Sequence, residues 1–123
     1  AWGASLGGLC SAHLAWAYPD RFQQVVSQSG AFLFSPDMDF TFPFAGGESF
    51  RRMVARDGPR PVAWHLDCGA LEWLVQSNER LAETLDGQGA TVSLRTRSAG
   101  HNWINWRNGL AEGLRFALPV TAP

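Results

Sequence analysis

Lysine is absent: all ten basic residues of this 123-residue chain are arginine. Chemistry that runs through a lysine amine, such as a Schiff base, is therefore excluded. Cysteine is scarce. Cys10 and Cys68 stand apart in apolar stretches, with no CxxC pair and no Cys/His cluster. Neither a metal site nor a disulfide framework is expected, and both thiols read as small buried hydrophobes. An excess of charge is lacking too. The formal net charge is −1 and the pI about 6.3, which removes the electrostatic case for nucleic acid or an anionic membrane surface as partner. No apolar run approaches the roughly 18 residues of a membrane span, and no signal-peptide pattern is present. The chain opens on Ala1-Trp2-Gly3 without an initiator methionine, so an address ahead of Ala1 is left open. Nothing calls for a cofactor.

What is present is ordinary globular composition, 46% hydrophobic and 17% charged, and a length that suits one domain rather than two. Residues 1–7 read as a strand end and a tight turn. A helix follows, with Leu6, Leu9, Cys10, His13, Leu14 and Ala17 at i, i+3, i+4 spacing, and Pro19-Asp20 ends it. Phe22 to Ser27 is a short strand finishing at Gly30. Residues 31–47 carry Phe32, Phe34, Phe40, Phe42 and Phe44, broken by Pro36, Pro43 and Gly46-Gly47, which predicts an irregular loop or lid. A short helix over Glu48–Arg56, a buried strand over Val62–Cys68 and a turn at Gly69 come next. Residues 73–86 form an amphipathic helix with Leu74, Leu81 and Leu85 inward and Glu79, Arg80 and Glu83 outward. Ala90–Arg97 alternates as a half-exposed strand, and a final helix runs from about Trp103 to Ala117. Strands alternating with helices predict an α/β fold, a mostly parallel sheet with helices on both faces.

Gly3-Ala4-Ser5-Leu6-Gly7 matches G-x-S-x-G, the nucleophile elbow of α/β hydrolases. The turn is tight enough to favour glycine on both flanks. It lifts the serine hydroxyl off the sheet and sets it at a helix N-terminus, where developing negative charge is favoured. The N–H of Leu6 becomes one oxyanion-hole donor. A serine hydroxyl needs an adjacent base. His13 lies two turns into the first helix and His65 within a buried strand, whereas His101 follows the last strand and a glycine, where this fold places its base. The acid belongs after the penultimate strand. Asp67 lies inside that strand; Glu72 lies in the turn after Gly69, from which a carboxylate can reach His101, and is favoured over Asp67.

With these residues in view the chain resembles the enterochelin esterase family, within the wider esterase D group of α/β hydrolases. The resemblance rests on Gly3-Ala4-Ser5-Leu6-Gly7-Gly8-Leu9, Tyr18-Pro19-Asp20-Arg21-Phe22, Ser27-Gln28-Ser29-Gly30, and Gly100-His101-Asn102 followed by Trp106-Arg107 and Gly109-Leu110. It covers most of the chain outside about residues 33–63, and departs at Asn102, where the family commonly has aspartate. It implies hydrolysis of a catecholate siderophore trilactone, in its ferric form, with release of iron in the cytoplasm. It carries over Ser5 as nucleophile, His101 as base and Glu72 as acid. A complete domain of this kind has strands before the elbow, one of whose loops gives the second oxyanion N–H. On that footing residues 1–123 read as a single partial domain, the C-terminal part of the fold.

The expected partner is a small-molecule ester. Phe32 and Phe34 are candidate contacts for an aromatic acyl group, and Arg107 and Arg97 for anionic catecholate oxygens. A general carboxylesterase, an acyltransferase of the same group and an inactive truncated remnant are the competing readings.

Overall fold

A computed structural model describes residues 1–36 and 47–118. Phe40, Phe42 and Phe44 of the phenylalanine-rich stretch lie outside the described residues. The elements run β1 (Trp2–Ala4), α1 (Leu6–Ala17), β2 (Gln24–Gln28), α2 (Ser49–Asp57), β3 (Ala63–Gly69), α3 (Val75–Gly87), β4 (Val92–Arg97) and α4 (Trp103–Ala117). The four strands form one sheet in the order β1-β2-β3-β4, every pair parallel. The sequence expectation of an α/β fold with a parallel sheet therefore holds, with boundaries shifted by a residue or two.

Parallel strands need long crossovers, and helices supply them here. The main core joins α1, α2 and α3 to the sheet. Leu9, Ala12, Ala15 and Trp16 of α1, Phe50 and Val54 of α2, and Leu81, Ala82 and Leu85 of α3 pack with Val25, Trp64 and Leu66 of the strands. Phe50 is its hub, with Trp16, Phe32 and Trp64 around it at ring-centroid distances of 5.7–6.1 Å. Complete burial of an aromatic ring of this size stabilises by about 1.5–3 kcal/mol. Helix α4 lies on the side of the sheet to which the alternate residues point. His65 meets Phe116 at 5.5 Å, and Gly109 comes so close to Asp67 that a β-carbon there would collide with its carboxylate.

Two expectations about burial fail, for one reason. Helix α1 turns Gly8, Leu9, Ser11, Ala12, Ala15 and Trp16 inward, while Leu6, Cys10, His13, Leu14 and Ala17 are exposed. The segment LGGLCSAHLAWA carries no charged residue, so apolar periodicity has no polar side to contrast with. Contacts with other elements decide instead: Trp16 turns in against Phe50, and Gly8 comes so close to the Ser27 hydroxyl that a β-carbon would collide with it. Cys10 is accordingly exposed, and only Cys68 is the buried hydrophobe expected of both.

Candidate active site

The carboxyl end of the sheet gathers the polar residues, as open parallel sheets do. A cleft of about 550 Å³ lined by Ala1, Phe22, Gln24 and Ala63 opens at the other end, where the strands begin. Ser5 sits between β1 and α1 with φ 56° and ψ −122°. Few residues other than glycine adopt this backbone, and holding it costs on the order of 1–3 kcal/mol. The neighbouring chain end enforces it. Ser5 N–H donates to the Gln28 carbonyl at 2.9 Å, and the Ser5 carbonyl accepts from Gly8 and Ala31 N–H groups, both at 3.0 Å. A β-carbon at Gly3 would strike the Gly7 carbonyl, and one at Gly8 would strike the Ser27 hydroxyl. Gly7 itself has open space around it. The steric demand expected on both flanks of the elbow falls instead on Gly3 and Gly8. Leu6 is the first residue of α1, a position whose N–H has no acceptor within the helix.

His101 lies in the turn between β4 and α4. It does not cap the helix: Asn102 does, its side-chain oxygen accepting from Asn105 N–H at 3.0 Å. The His101 ring is free to reach across. Nε2 lies 3.0 Å from Ser5 Oγ, and Nδ1 lies 2.6 Å from Glu72 Oε2. A carboxylate only accepts, so Nδ1 carries the proton and Nε2 is left to accept from the serine hydroxyl. Glu72, in the turn after β3, has a fully buried side chain. Its other oxygen, Oε1, accepts from Ser29 Oγ at 2.6 Å, Gly69 N–H at 2.8 Å and Asn105 Nδ2 at 3.3 Å.

Asp67, the alternative acid, is engaged elsewhere. Its carboxylate takes both terminal nitrogens of Arg97, and Arg97 also donates to Asn105 Oδ1 at 3.1 Å. Burial outweighs that guanidinium and pushes the Asp67 carboxyl up to about 6. Arg97 is thereby committed inside the protein rather than presented to a ligand. His65 is buried with Nδ1 2.8 Å from Ser93 Oγ, and His13 packs edge-on against Phe50.

The aromatic residues around Ser5 are not the ones expected. Phe32 is fully buried in the core against Phe50 and offers no face to a substrate. Phe34 is half-buried and packs on the same core. Arg107 is exposed on α4. Tryptophans surround His101 instead: Trp73 at 4.9 Å and Trp106 edge-on at 5.2 Å, with Trp103 against Trp106 at 4.9 Å. Trp73 and Trp103 are at least half exposed. Ser29, Asn105 and these tryptophans are absent from the sequence-level candidates. The one signal pointing to any of them is that Ser29 and Trp106 fall inside the blocks that carry the family resemblance.

A parallel sheet with a serine on a strained strand-to-helix turn, a histidine after the last strand and a buried carboxylate behind it has the architecture of an α/β hydrolase. The family model for esterases, described as "Putative esterase", matches residues 1–117. The chain belongs to that family. It is 31% identical over 130 aligned positions to the iron(III) enterobactin esterase of Dickeya dadantii, covering 98% of this chain and 29% of that protein. Among solved structures, the ferric enterobactin esterase of Salmonella typhimurium superposes with a TM-score of 0.76 at 29% identity, over 94% of this chain and 29% of that one. A ferulic acid esterase superposes at 0.79 with 23% identity, over 94% and 49%, a likeness of fold. The chain spans about 29% of the length of the curated relatives it matches.

Proposed function

We propose that the chain carries the catalytic residues of a serine esterase acting through an acyl-enzyme on catecholate siderophore esters of the trilactone type. The observation that carries the reading is the unbroken line of hydrogen bonds from Ser5 Oγ to His101 Nε2, and from His101 Nδ1 to Glu72 Oε2. Ser5 Oγ attacks the ester carbonyl carbon while its proton passes to His101 Nε2. Glu72 holds the reactive tautomer and balances the imidazolium. Negative charge growing on the carbonyl oxygen meets the Leu6 N–H and the N-terminus of α1. The tetrahedral adduct collapses, and the alcohol leaves with the proton from His101. Water then gives a proton to the same nitrogen and attacks the acyl carbon; the second tetrahedral adduct collapses to the acid, and Ser5 Oγ leaves with the proton from His101.

The substrate class draws on the two enterobactin esterases at about 30% identity and on an enterobactin esterase of Shigella flexneri whose structure was obtained in the presence of enterobactin. Exposed Trp73 and Trp103 suit flat aromatic rings beside the nucleophile, the part first assigned to Phe32. Arg107, exposed on α4, is assigned to catecholate oxygens in this reading. The test compares a catecholate trilactone with p-nitrophenyl butyrate, each with Ser5→Ala as control. The expected result is Ser5-dependent hydrolysis of both, with a higher kcat/KM on the trilactone. Ser5-dependent cleavage of the aryl ester alone would make the protein a general carboxylesterase, and turnover that survives Ser5→Ala would refute the nucleophile.

A further inference from the structure

Ser29 lies just beyond β2 and keeps its backbone at φ 51°, in the left-handed region that costs a residue with a β-carbon about 1–2 kcal/mol. It is fully buried. Its N–H donates to the Asp67 carbonyl, which fixes the backbone. Its hydroxyl accepts from Trp106 Nε1 at 2.9 Å and donates to Glu72 Oε1 at 2.6 Å. The order of donors is forced. An indole N–H can only donate, so the Ser29 oxygen must accept from it, and the single hydroxyl proton is directed at Glu72. The same Trp106 ring stands edge-on to His101. Helix α4 thus touches the histidine through the Trp106 ring, and the carboxylate both directly through Asn105 and by way of Ser29.

We infer that Ser29, with Trp106 orienting its hydroxyl, is a positioning residue that fixes Glu72 Oε1 and leaves Oε2 to His101. The inference rests on the roles proposed for Ser5, His101 and Glu72. Without the Ser29 hydroxyl, Oε1 keeps the Gly69 N–H and Asn105, and the carboxylate gains freedom to swing. The Cys68 thiol lies beside it, Asp67 stands nearby held by Arg97, and His101 faces Oε2. A carboxylate that swings holds the Nδ1 proton less firmly and stabilises the imidazolium less. The rate therefore falls at kcat rather than KM, and the acid limb of the pH–rate profile moves to lower pH.

The experiment uses the full chain carrying Ser29→Ala, Ser29→Gly (which accepts the left-handed backbone) and Trp106→Phe, each alone and together with Glu72→Gln. A hydrogen bond to a charged group corresponds to about ten- to hundredfold in rate. Both Ser29 variants should lose that much in kcat on p-nitrophenyl butyrate with KM unchanged, and Trp106→Phe should lose less in the same direction. In the Glu72→Gln background the Ser29 changes should cost nothing more. Equal losses in both backgrounds, or Ser29 variants with the parent kcat and pH profile, overturn the inference. The Nδ1 proton resonance of His101 is read without any turnover, so it keeps this question separate from the esterase reading. It should move upfield in Ser29→Ala, and an unmoved resonance overturns the positioning role whatever Ser5→Ala does to hydrolysis.

Discussion

Glu72→Gln is nearly isosteric, yet the surroundings dictate how the amide must lie. The three donors on Oε1, from Ser29, Gly69 and Asn105, require an acceptor at that position, so the amide oxygen is held there. The NH2 group is then turned to His101, 2.6 Å away in the parent contact. A donor facing Nδ1 forces the ring proton onto Nε2, and Nε2 can no longer accept from Ser5. The variant holds the inverted tautomer, a fault that costs about 10⁴-fold in kcat in the serine-protease triad. We expect a loss of about 10³- to 10⁴-fold here, roughly 4–5.5 kcal/mol of transition-state stabilisation, with KM nearly unchanged. Ser5→Ala should be worse still, because the nucleophile itself is gone. Asp67→Asn should leave most of the turnover, since that carboxylate is spent on Arg97. The assay is p-nitrophenyl butyrate hydrolysis over pH 6–9 for the three variants. A Glu72→Gln protein within tenfold of the parent, or an Asp67→Asn protein more damaged than it, would refute the reasoning.

Asp67 also makes a stability prediction. Its folded value of about 6 lies above the ordinary 3.8, so its contribution is fully present below about pH 4 and is lost as pH rises through about 6. Denaturant titrations should show a decline on the order of 3 kcal/mol across that window, absent in Asp67→Asn. The paired glycines of the elbow should behave oppositely: Gly8→Ala drives a methyl into Ser27 and Gly30 and should cost about 1–3 kcal/mol with loss of activity. Gly7→Ala, with open space around it, should be neutral or gain up to about 1 kcal/mol in helix propensity, read as a thermal shift.

How much of this was open to inspection of the sequence depends on the range of the interaction. Elements were legible because glycine and proline punctuate them: Pro19 after α1, Gly69 at the end of β3, Gly100 before α4. Ser5 and His101 stand out because a strand-to-helix turn and a late Gly-His dipeptide are local patterns. The sequence favours Glu72 over Asp67 because a residue in a turn and a residue in a strand have different reach. What was not legible is long-range. Ser29 meets Glu72 across 43 residues and Trp106 across 77, and no periodicity encodes such meetings. Phe32 reads like a pocket lining because a phenylalanine beside a proline-rich stretch looks the same whether it faces solvent or Phe50. Gly7 and Gly8 are equally plausible partners for Gly3, and only the approach of Ser27 to α1 distinguishes them.

The elbow itself predicts a conflict between stability and chemistry. Ser5 holds φ 56° and ψ −122°, at a cost of about 1–3 kcal/mol, and on the proposed function this backbone is what places Oγ. Ser5→Ala removes the hydroxyl and keeps the strain, because alanine has the same β-carbon. Ser5→Gly removes both, against about 0.5–1 kcal/mol of extra backbone entropy lost on folding. The glycine variant should therefore be the more stable of two inactive proteins, by about 0.5–2 kcal/mol. For a domain of this size that is a rise of roughly 2–10 °C in melting temperature over Ser5→Ala. Differential scanning calorimetry at one pH on both variants measures it, and both should show the same residual ester hydrolysis. If Ser5→Gly melts at or below Ser5→Ala, the backbone at position 5 is not strained, and the hydroxyl owes its position to the hydrogen bonds at Gln28 and Ala31 alone.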